Sequence, residues 1–467
     1  MKNYLNAKQI NIVFLLCLLV VSGFDIYGQQ INRNKPEREK WFSEQGLGMF
    51  IHLSVDVQLG GNIAHNVFAS SKDYQKYYFE ELPKTFNPKK FDPEEWAILA
   101  KLARMKYVVI CTKHINGFCL WNTQSSDFNV MNTPFARDFL KETIAAFRKY
   151  GIAVGLYFSP NDAHVMYKQG YSLSRRSPES NISNNKELWR VTQQQLRELF
   201  SNYGKIDILF IDDPDTKNTQ PVADYCWEMD PDLVITRGAM LTPELRSEGN
   251  NPLELPTAIV HKAWEACATT TAEWSYVQGT PDKSIYEILQ VYFETRAKGG
   301  NLLLNVHPMS NGELPEGNIG LLRRLAIWQA SNHEAVDKVV PCARPLVDGI
   351  WYTKAKDQDS VYYAFLDATD WVWRTRKAFL LSPIQGNSFT KVSVLGQDET
   401  KMQYNMDVSP STYFALHTEG LFVSVMKSHR SYYDIKEIDR SAPPWIVIKM
   451  EKADFKTHET KIIVPDL

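Results

Sequence analysis

Between Trp41 and about Ala335 the sequence keeps repeating one pattern. A short run of β-branched, aliphatic or aromatic residues is followed by a stretch whose apolar positions recur at helical spacing. The strand-like runs are Gly48–His52, Tyr107–His114, Ala153–Ser159, Asp207–Asp212, Leu233–Arg237, Ala258–Glu265 and Asn301–Val306. Helix-like stretches follow at Asp92–Arg104, Asp138–Tyr150, Lys186–Tyr203, Ser284–Ala297 and Ile319–His333. The first of these has Asp92 as its cap and Pro93 as its first helical residue. Alternation of this kind predicts an α/β fold, a parallel (β/α)8-like barrel. Seven strands are evident and an eighth is not, which leaves an irregular or incomplete barrel open. After Pro341 the texture changes to short alternating runs, Ile350–Thr353, Ser360–Phe365, Lys391–Leu395, Leu421–Val425 and Trp445–Met450, with few helix signals. These predict a C-terminal antiparallel β-sandwich. The segment Ser174–Asn184 reads as a mobile surface loop.

The N-terminus has a different grammar. Lys2 and Lys8 precede the apolar run Ile12–Val21, which is followed by Ser22 and Gly23. The run is short for a bilayer span and has the anatomy of a secretory signal, with cleavage near Gly28. The expected organisation is therefore a signal peptide at 1–28, a barrel domain at 29–340 and a sandwich domain at 341–467. The protein is expected to be exported, periplasmic or secreted, with no later membrane span. Loss of Cys17 with the signal leaves five cysteines at wide spacings, neither a disulfide framework nor a zinc pattern. A net charge of −2 gives no support to nucleic-acid binding. Twelve Trp, 22 Tyr and 23 Phe suit a sugar ligand, whose C–H faces stack on aromatic rings, as well as they suit a large core.

In a parallel barrel the active site gathers at the C-terminal ends of the strands. Here those ends are His52, His114, Tyr157, Asp212 with Asp213, Arg237, Glu265 and Asn305, all polar after largely apolar runs. Taken singly, each has an ordinary structural explanation, such as a turn cap or a buried ion pair. Taken together, they predict a shared polar mouth, with Lys113 and His114 entering it and Phe118 and Trp121 as its wall. The histidines are isolated, so a metal site is not indicated, and no Gly-rich phosphate loop or Gly-x-Ser-x-Gly elbow occurs. Two carboxylates on separate strands, Asp212 and Glu265, fit glycoside hydrolysis, one attacking the anomeric carbon and the other protonating the leaving oxygen.

At these residues the sequence resembles the retaining α-L-fucosidases of glycoside hydrolase family 29. The resemblance rests on ordered blocks: Gly48-Met49-Phe50-Ile51-His52, Phe91-Asp92-Pro93-Glu94-Glu95-Trp96, Thr112-Lys113-His114 with Gly117-Phe118-Cys119-Leu120-Trp121, Gly155–Ser159, Asp207–Asp212, Trp264–Cys267 with Trp274-Ser275-Tyr276, and Gly300–Val306 with Pro308. It implies that Asp212 is the nucleophile of a covalent glycosyl-enzyme. It also implies Glu265 as the acid/base, with Glu273 as the alternative. His52, His114 and Tyr157 would hydrogen-bond the sugar, Trp274 would stack on it, and Arg237 matches an arginine near the site. The implied partner is a fucosylated oligosaccharide or glycan, with no cofactor or metal. The oligomeric state is not written in the sequence.

The sequence also departs from the family's pattern. The paired histidines become His114-Ile115, the following Asp becomes Asn116, and Leu53-Ser54 stands where Trp-Gly is usual. Asp213 follows the nucleophile in place of Gly, and His307 and Asn311 replace Gly and Asp in the late block. Ile115 removes a donor that would read a sugar hydroxyl. Asp213 could raise the proton affinity of Asp212 if both faced the pocket. Two further readings therefore stand beside the fucosidase: a glycosidase of the same fold for another deoxy or L-configured sugar, and a non-catalytic carbohydrate-binding relative. The C-terminal sandwich is expected to pack on the barrel, with Trp351, Trp371 and Trp373 as core candidates.

Overall fold

The computed structural model describes residues 31–61, 63–245, 255–368, 371–372, 374–397, 409–427 and 445–456. The signal segment expected at 1–28 and Trp373 lie outside the described residues. Eight parallel strands form one sheet: β1 (Leu47–Ile51), β2 (Tyr107–Lys113), β3 (Ala153–Phe158), β4 (Ile208–Ile211), β5 (Val234–Ile235), β6 (Glu244–Leu245), β7 (Glu265–Thr269) and β8 (Asn301–Val306). Their order is β5-β4-β3-β2-β1-β8-β7-β6, and every pairing is parallel. Among the described residues no backbone ladder joins β5 to β6, so the barrel is irregular at that seam.

Alternation along each strand divides two cores. In β2, Tyr107, Val109 and Cys111 turn into the barrel with Phe50, Tyr157, Ile208, Phe210 and Leu303. Val108 and Ile110 turn outward, into the layer shared with the surrounding helices. Those helices begin where the sequence supplies caps. The Asp92 side chain accepts from the backbone N–H of Glu94 and Glu95 to open Pro93–Leu102. Asp138 and Asn185 do the same for Phe139–Lys149 and Lys186–Asn202, and a Ser284–Glu287 capping box opens Ile285–Ala297.

The eighth strand, β6, is only two residues long. The stretch expected to be the strand Ala258–Glu265 is corrected by the structure. Residues 258–264 are irregular, and the strand begins at Glu265. Trp264 lies flat against Gly300, where a Cβ would come within 2.3 Å of its ring, and its indole N–H donates to the Lys298 carbonyl. That packing pins Trp264 at the N-terminal rim, and the polypeptide enters the sheet one residue later.

The C-terminal sheets are antiparallel, and a five-stranded one faces a three-stranded one. Tyr352, Tyr362, Ala364 and Leu366 point between them, with Leu381, Val423 and Val425 opposite. Their alternates, Trp351, Tyr363 and Phe365, face the barrel. Phe293 of helix Ile285–Ala297 stacks on Phe365 at 4.6 Å, and Tyr286 stacks on Trp445 at 4.9 Å. Trp351 and Trp371 are core residues, as expected of a sandwich that packs on the barrel.

Lys113 ends the apolar strand β2, yet it stays in the protein interior. Its Nζ is 3.2 Å from Asp162 Oδ2 and 4.7 Å from the Phe158 ring, and both charged side chains are fully buried. Asp162 also caps helix Ala163–Lys168 by accepting from Val165 N–H. Gly117, at φ +91°, leaves the space that the Asp162 carboxylate fills. The pair ties the end of β2 to the turn after β3. Asp162→Asn strands a buried ammonium and should cost on the order of 3–5 kcal/mol, whereas the Lys113→Met/Asp162→Leu double variant should recover most of it. Thermal and urea unfolding of the three proteins measure this.

Candidate active site

The residues at the strand ends converge. A cavity of about 210 Å³, the size of a single sugar ring, opens at the C-terminal mouth of the barrel. It is lined by Phe50, His52, Ile63, His65, His114, Tyr157, Arg175, Phe210, Asp212, Pro214, Arg237, Glu244 and Trp274. Of the residues expected from sequence, His52, His114, Tyr157, Asp212, Arg237 and Trp274 come together there. Glu265 and Trp121 do not.

Asp212 follows β4 and is held by three neighbours. Tyr157 Oη donates to its Oδ2 at 2.5 Å, Arg237 Nη1 lies 3.4 Å from Oδ1, and its backbone N–H donates to the Phe158 carbonyl. Burial pushes its pKa up, but the Arg237 guanidinium and the Tyr157 hydroxyl outweigh it, and the carboxyl stays below the usual range. It is therefore ionised at neutral pH and points into a small cavity, as a nucleophile must.

The two histidines work in the opposite sense. Burial lowers His52 to about 4 and holds His114 well below its ordinary value. Both are neutral imidazoles at neutral pH, able to donate from one nitrogen and accept at the other. His52 Nδ1 sits 2.6 Å from Asn305 Oδ1, whose own Nδ2 donates to the Trp274 carbonyl. One amide on β8 thus orients both the imidazole and the tryptophan. His114 stacks on Tyr157 at 5.2 Å, Trp274 stands 5.4 Å from His52, and Phe50, Tyr157 and Phe210 form the aromatic floor.

The second carboxylate in the cavity is Glu244, on β6, which the sequence reading missed. It pairs with the same Arg237 Nη1 that contacts Asp212. The two carboxylates are thus close enough to meet at one nitrogen atom. Glu265 is elsewhere. It opens β7 in register with Asn301, the first residue of β8, and accepts from Tyr107 Oη at 2.6 Å. It is completely buried at the N-terminal end of the barrel. Glu273 lies in the loop after β7, beside Trp274, half-buried and outside the cavity lining.

Trp121 is also turned away. The chain folds back after Gly117, with a bridge from Lys113 to Cys119, and buries Trp121 against helix Lys186–Asn202, where its indole N–H meets Glu198. Phe118 is likewise core and not a cavity wall. Asp213 does not share the pocket with Asp212. It accepts from Asn161, Asn218 and the Asp215 N–H, and burial raises it to about 6. The loop Ser174–Asn184, expected to be a free surface segment, brings Arg175 into the lining. His65 and Ile63 arrive on the segment after β1, which carries no periodic signal. Among the described residues no group of three or more His, Cys, Asp or Glu is placed to hold a metal ion.

The sequence model described as Alpha-L-fucosidase matches residues 26–334. The plasma alpha-L-fucosidase of Homo sapiens is 26% identical over 435 residues, covering 82% of this chain and 85% of the relative. The alpha-L-fucosidase of Dictyostelium discoideum is 24% identical over 431 residues, covering 83% and 90%. Among solved structures, alpha-L-fucosidase isoenzyme 1 from Paenibacillus thiaminolyticus superposes with a TM-score of 0.66 at 24% identity, over 89% of this chain and 98% of its own. A Bacteroides thetaiotaomicron alpha-L-fucosidase, trapped as a covalent intermediate with 2-fluoro-fucosyl fluoride, gives 0.65 at 21% identity, over 92% and 99%.

The position of Glu265 makes a measurable difference. Burial raises its pKa to about 7 against the opposing Tyr107 hydrogen bond, from an ordinary 4.5. Between those values the folded state holds a proton that the unfolded state releases, so stability falls as pH rises through the window. The total loss is roughly 3 kcal/mol. Glu265→Gln should remove that loss, raising the unfolding midpoint at pH 8 relative to wild type and changing it little at pH 4. Turnover should stay within a few-fold of wild type. A thermal-unfolding series across pH, beside kinetics, checks both.

Proposed function

Because the chain belongs to the alpha-L-fucosidase family and is a glycoside hydrolase, we propose that it is an exported retaining exo-glycosidase that releases terminal α-L-fucose from oligosaccharides or glycans. The observation that carries this reading is the ionised Asp212 in a cavity sized for one sugar, with Glu244 on the same guanidinium. A cavity with room for a single ring suits removal of a chain end better than cleavage within a chain.

In the first step an Asp212 oxygen attacks the anomeric carbon while the bond from that carbon to the aglycone oxygen breaks. Glu244 gives its proton to the departing oxygen. In the second step Glu244 takes a proton from water, the water oxygen bonds to the anomeric carbon, and Asp212 leaves with its electron pair. The sugar is released with retained configuration. Glu244 replaces Glu265 as our candidate acid/base because it reaches the cavity. Its role requires Arg237 to shift toward Asp212 when the sugar enters, since a carboxylate held against arginine is a poor acid. Arg237, His52, His114 and Tyr157 hold the sugar hydroxyls and the charge on Asp212, and Trp274 stacks on the ring.

A second reading, another deoxy or L-configured sugar, rests on Ile115. Its side chain is fully buried against Ile63 and Ala64, so no imidazole stands at that position. The non-catalytic reading is disfavoured because two carboxylates remain in the cavity. Export rests on the N-terminal lysines and the apolar run at 12–21.

The test uses mature protein on an aryl α-L-fucoside and natural fucosylated oligosaccharides. Asp212→Ala should lose several orders of magnitude on both. Glu244→Ala should lose about 10²–10⁴-fold on natural substrates, lose much less with an activated aryl leaving group, and recover with azide as external nucleophile. Full activity of Glu244→Ala, with that rescue pattern in Glu273→Ala instead, would reassign the acid/base. Silence of wild type on every fucoside, with turnover of another glycoside, would select the second reading.

A further inference from the structure

We infer that His65 is a specificity-determining residue that reads a sugar hydroxyl beside His114, and that Asp56 is the positioning residue that holds it there. The inference rests on the sugar-hydrolase reading of the cavity and names a contact within it.

The segment after β1 is built around this histidine. It lines the cavity, and its ring centre is 6.3 Å from that of His114. Two imidazoles at that spacing can address two neighbouring hydroxyls of one ring. Its flanks are fixed. Ile63 and Ala64 are buried in a small apolar cluster with Ile115, against which Trp274 and Phe68 pack. Ala64 adopts a left-handed backbone, φ 59°, which a non-glycine residue takes only when its surroundings enforce it. The enforcing contact is the Asp56 carboxylate, fully buried, which accepts from the Ala64 N–H at 2.5 Å. His65 follows directly and stands exposed at the mouth.

Asp56 belongs to a buried hydrogen-bond chain that spans two loops. Tyr78 Oη donates to Asp56 Oδ2 at 3.0 Å, and Asn116 Nδ2 donates to Tyr78 Oη at 2.9 Å and to Ser54 Oγ at 2.8 Å. Tyr78 reaches this position from a π-helical turn, Tyr77–Glu81, a rare geometry found frequently at functional sites. Asn116 lies two residues after His114. One network therefore sets the loop of His65 and the loop of His114 together. The amide at position 116 fits that role, because a carboxylate there could not donate to Tyr78 and Ser54. The apolar Ile115 fits it too, because it forms the seat on which Ile63 and Ala64 rest.

The experiment is a cycle between protein and substrate. Wild type and His65→Ala are measured on an aryl α-L-fucoside and on its 2-, 3- and 4-deoxy analogues. His65→Ala should lower kcat/KM about 10- to 100-fold on the parent, the range for a lost substrate hydrogen bond. On one deoxy analogue the variant and wild type should be equal within about twofold, identifying the hydroxyl that is read. Asp56→Asn should lower kcat/KM on the parent, and its effect should be clearly smaller in the His65→Ala background. An iminocyclitol of fucose configuration serves as a second probe, and its binding should weaken in parallel. His65→Ala equal to wild type on every substrate would overturn the inference. An equal loss on the parent and all three analogues would also overturn it, as the mark of a general structural defect. An additive effect of Asp56→Asn would remove its positioning role. Wild type that neither turns over any fucoside nor binds the iminocyclitol would instead overturn the fucose reading on which the inference stands.

Discussion

Arg237 is the hinge of the mouth. It follows β5, and its guanidinium reaches Asp212 beyond β4 on one side and Glu244 on β6 on the other. That places a cation across the seam at which β5 and β6 lack a backbone ladder among the described residues. A side-chain bridge does there what main-chain hydrogen bonds do around the rest of the barrel. The same bridge acts on the charge state of the nucleophile, because burial raises the proton affinity of Asp212 and the guanidinium opposes it. Barrel geometry and reactivity therefore share one interaction.

Around that centre the site is organised by buried polar contacts, each linking two strand ends. Asn305 on β8 orients His52 after β1 and the Trp274 loop after β7. Lys113 on β2 holds Asp162 after β3, and Asn161 beside it holds Asp213 after β4. Asp56, Tyr78 and Asn116 join the loops after β1 and β2. Each contact would be costly if half made, since an unpartnered buried charge or amide loses its hydration without return. The mouth is therefore rigid where it must align hydroxyls, and the neutral state of His52 and His114 keeps positive charge from accumulating around the sugar.

Much of this was legible in the sequence, for a physical reason. Strands buried on both faces write themselves as apolar runs, and six of the seven runs expected to be strands fall on strands of the barrel. A polar residue at the end of such a run is conspicuous, and His52, His114, Tyr157, Asp212 and Arg237 were found that way. The misses are equally physical. The strand β6 is too short to show any period, so Glu244 had no marker. Residues 258–264 have strand-like composition without a strand, which moved Glu265 from the expected C-terminal end of β7 to its true N-terminal start. There it meets Tyr107 in the barrel floor. Trp121 sits among residues of the site block, but the reversal at Gly117 carries it into the core. His65 depends on an alanine in a glycine-like conformation, which only a tertiary contact can impose.

The central claim is that Asp212 attacks the sugar and is transiently bonded to it. Incubation of the protein with 2-fluoro-fucosyl fluoride, followed by proteolysis and mass spectrometry of the labelled peptide, tests it in one step. The account predicts a single fluorofucosyl adduct on the peptide that contains Asp212, absent from Asp212→Ala. An adduct on another carboxylate, or full turnover of fucosides by Asp212→Ala, would contradict it.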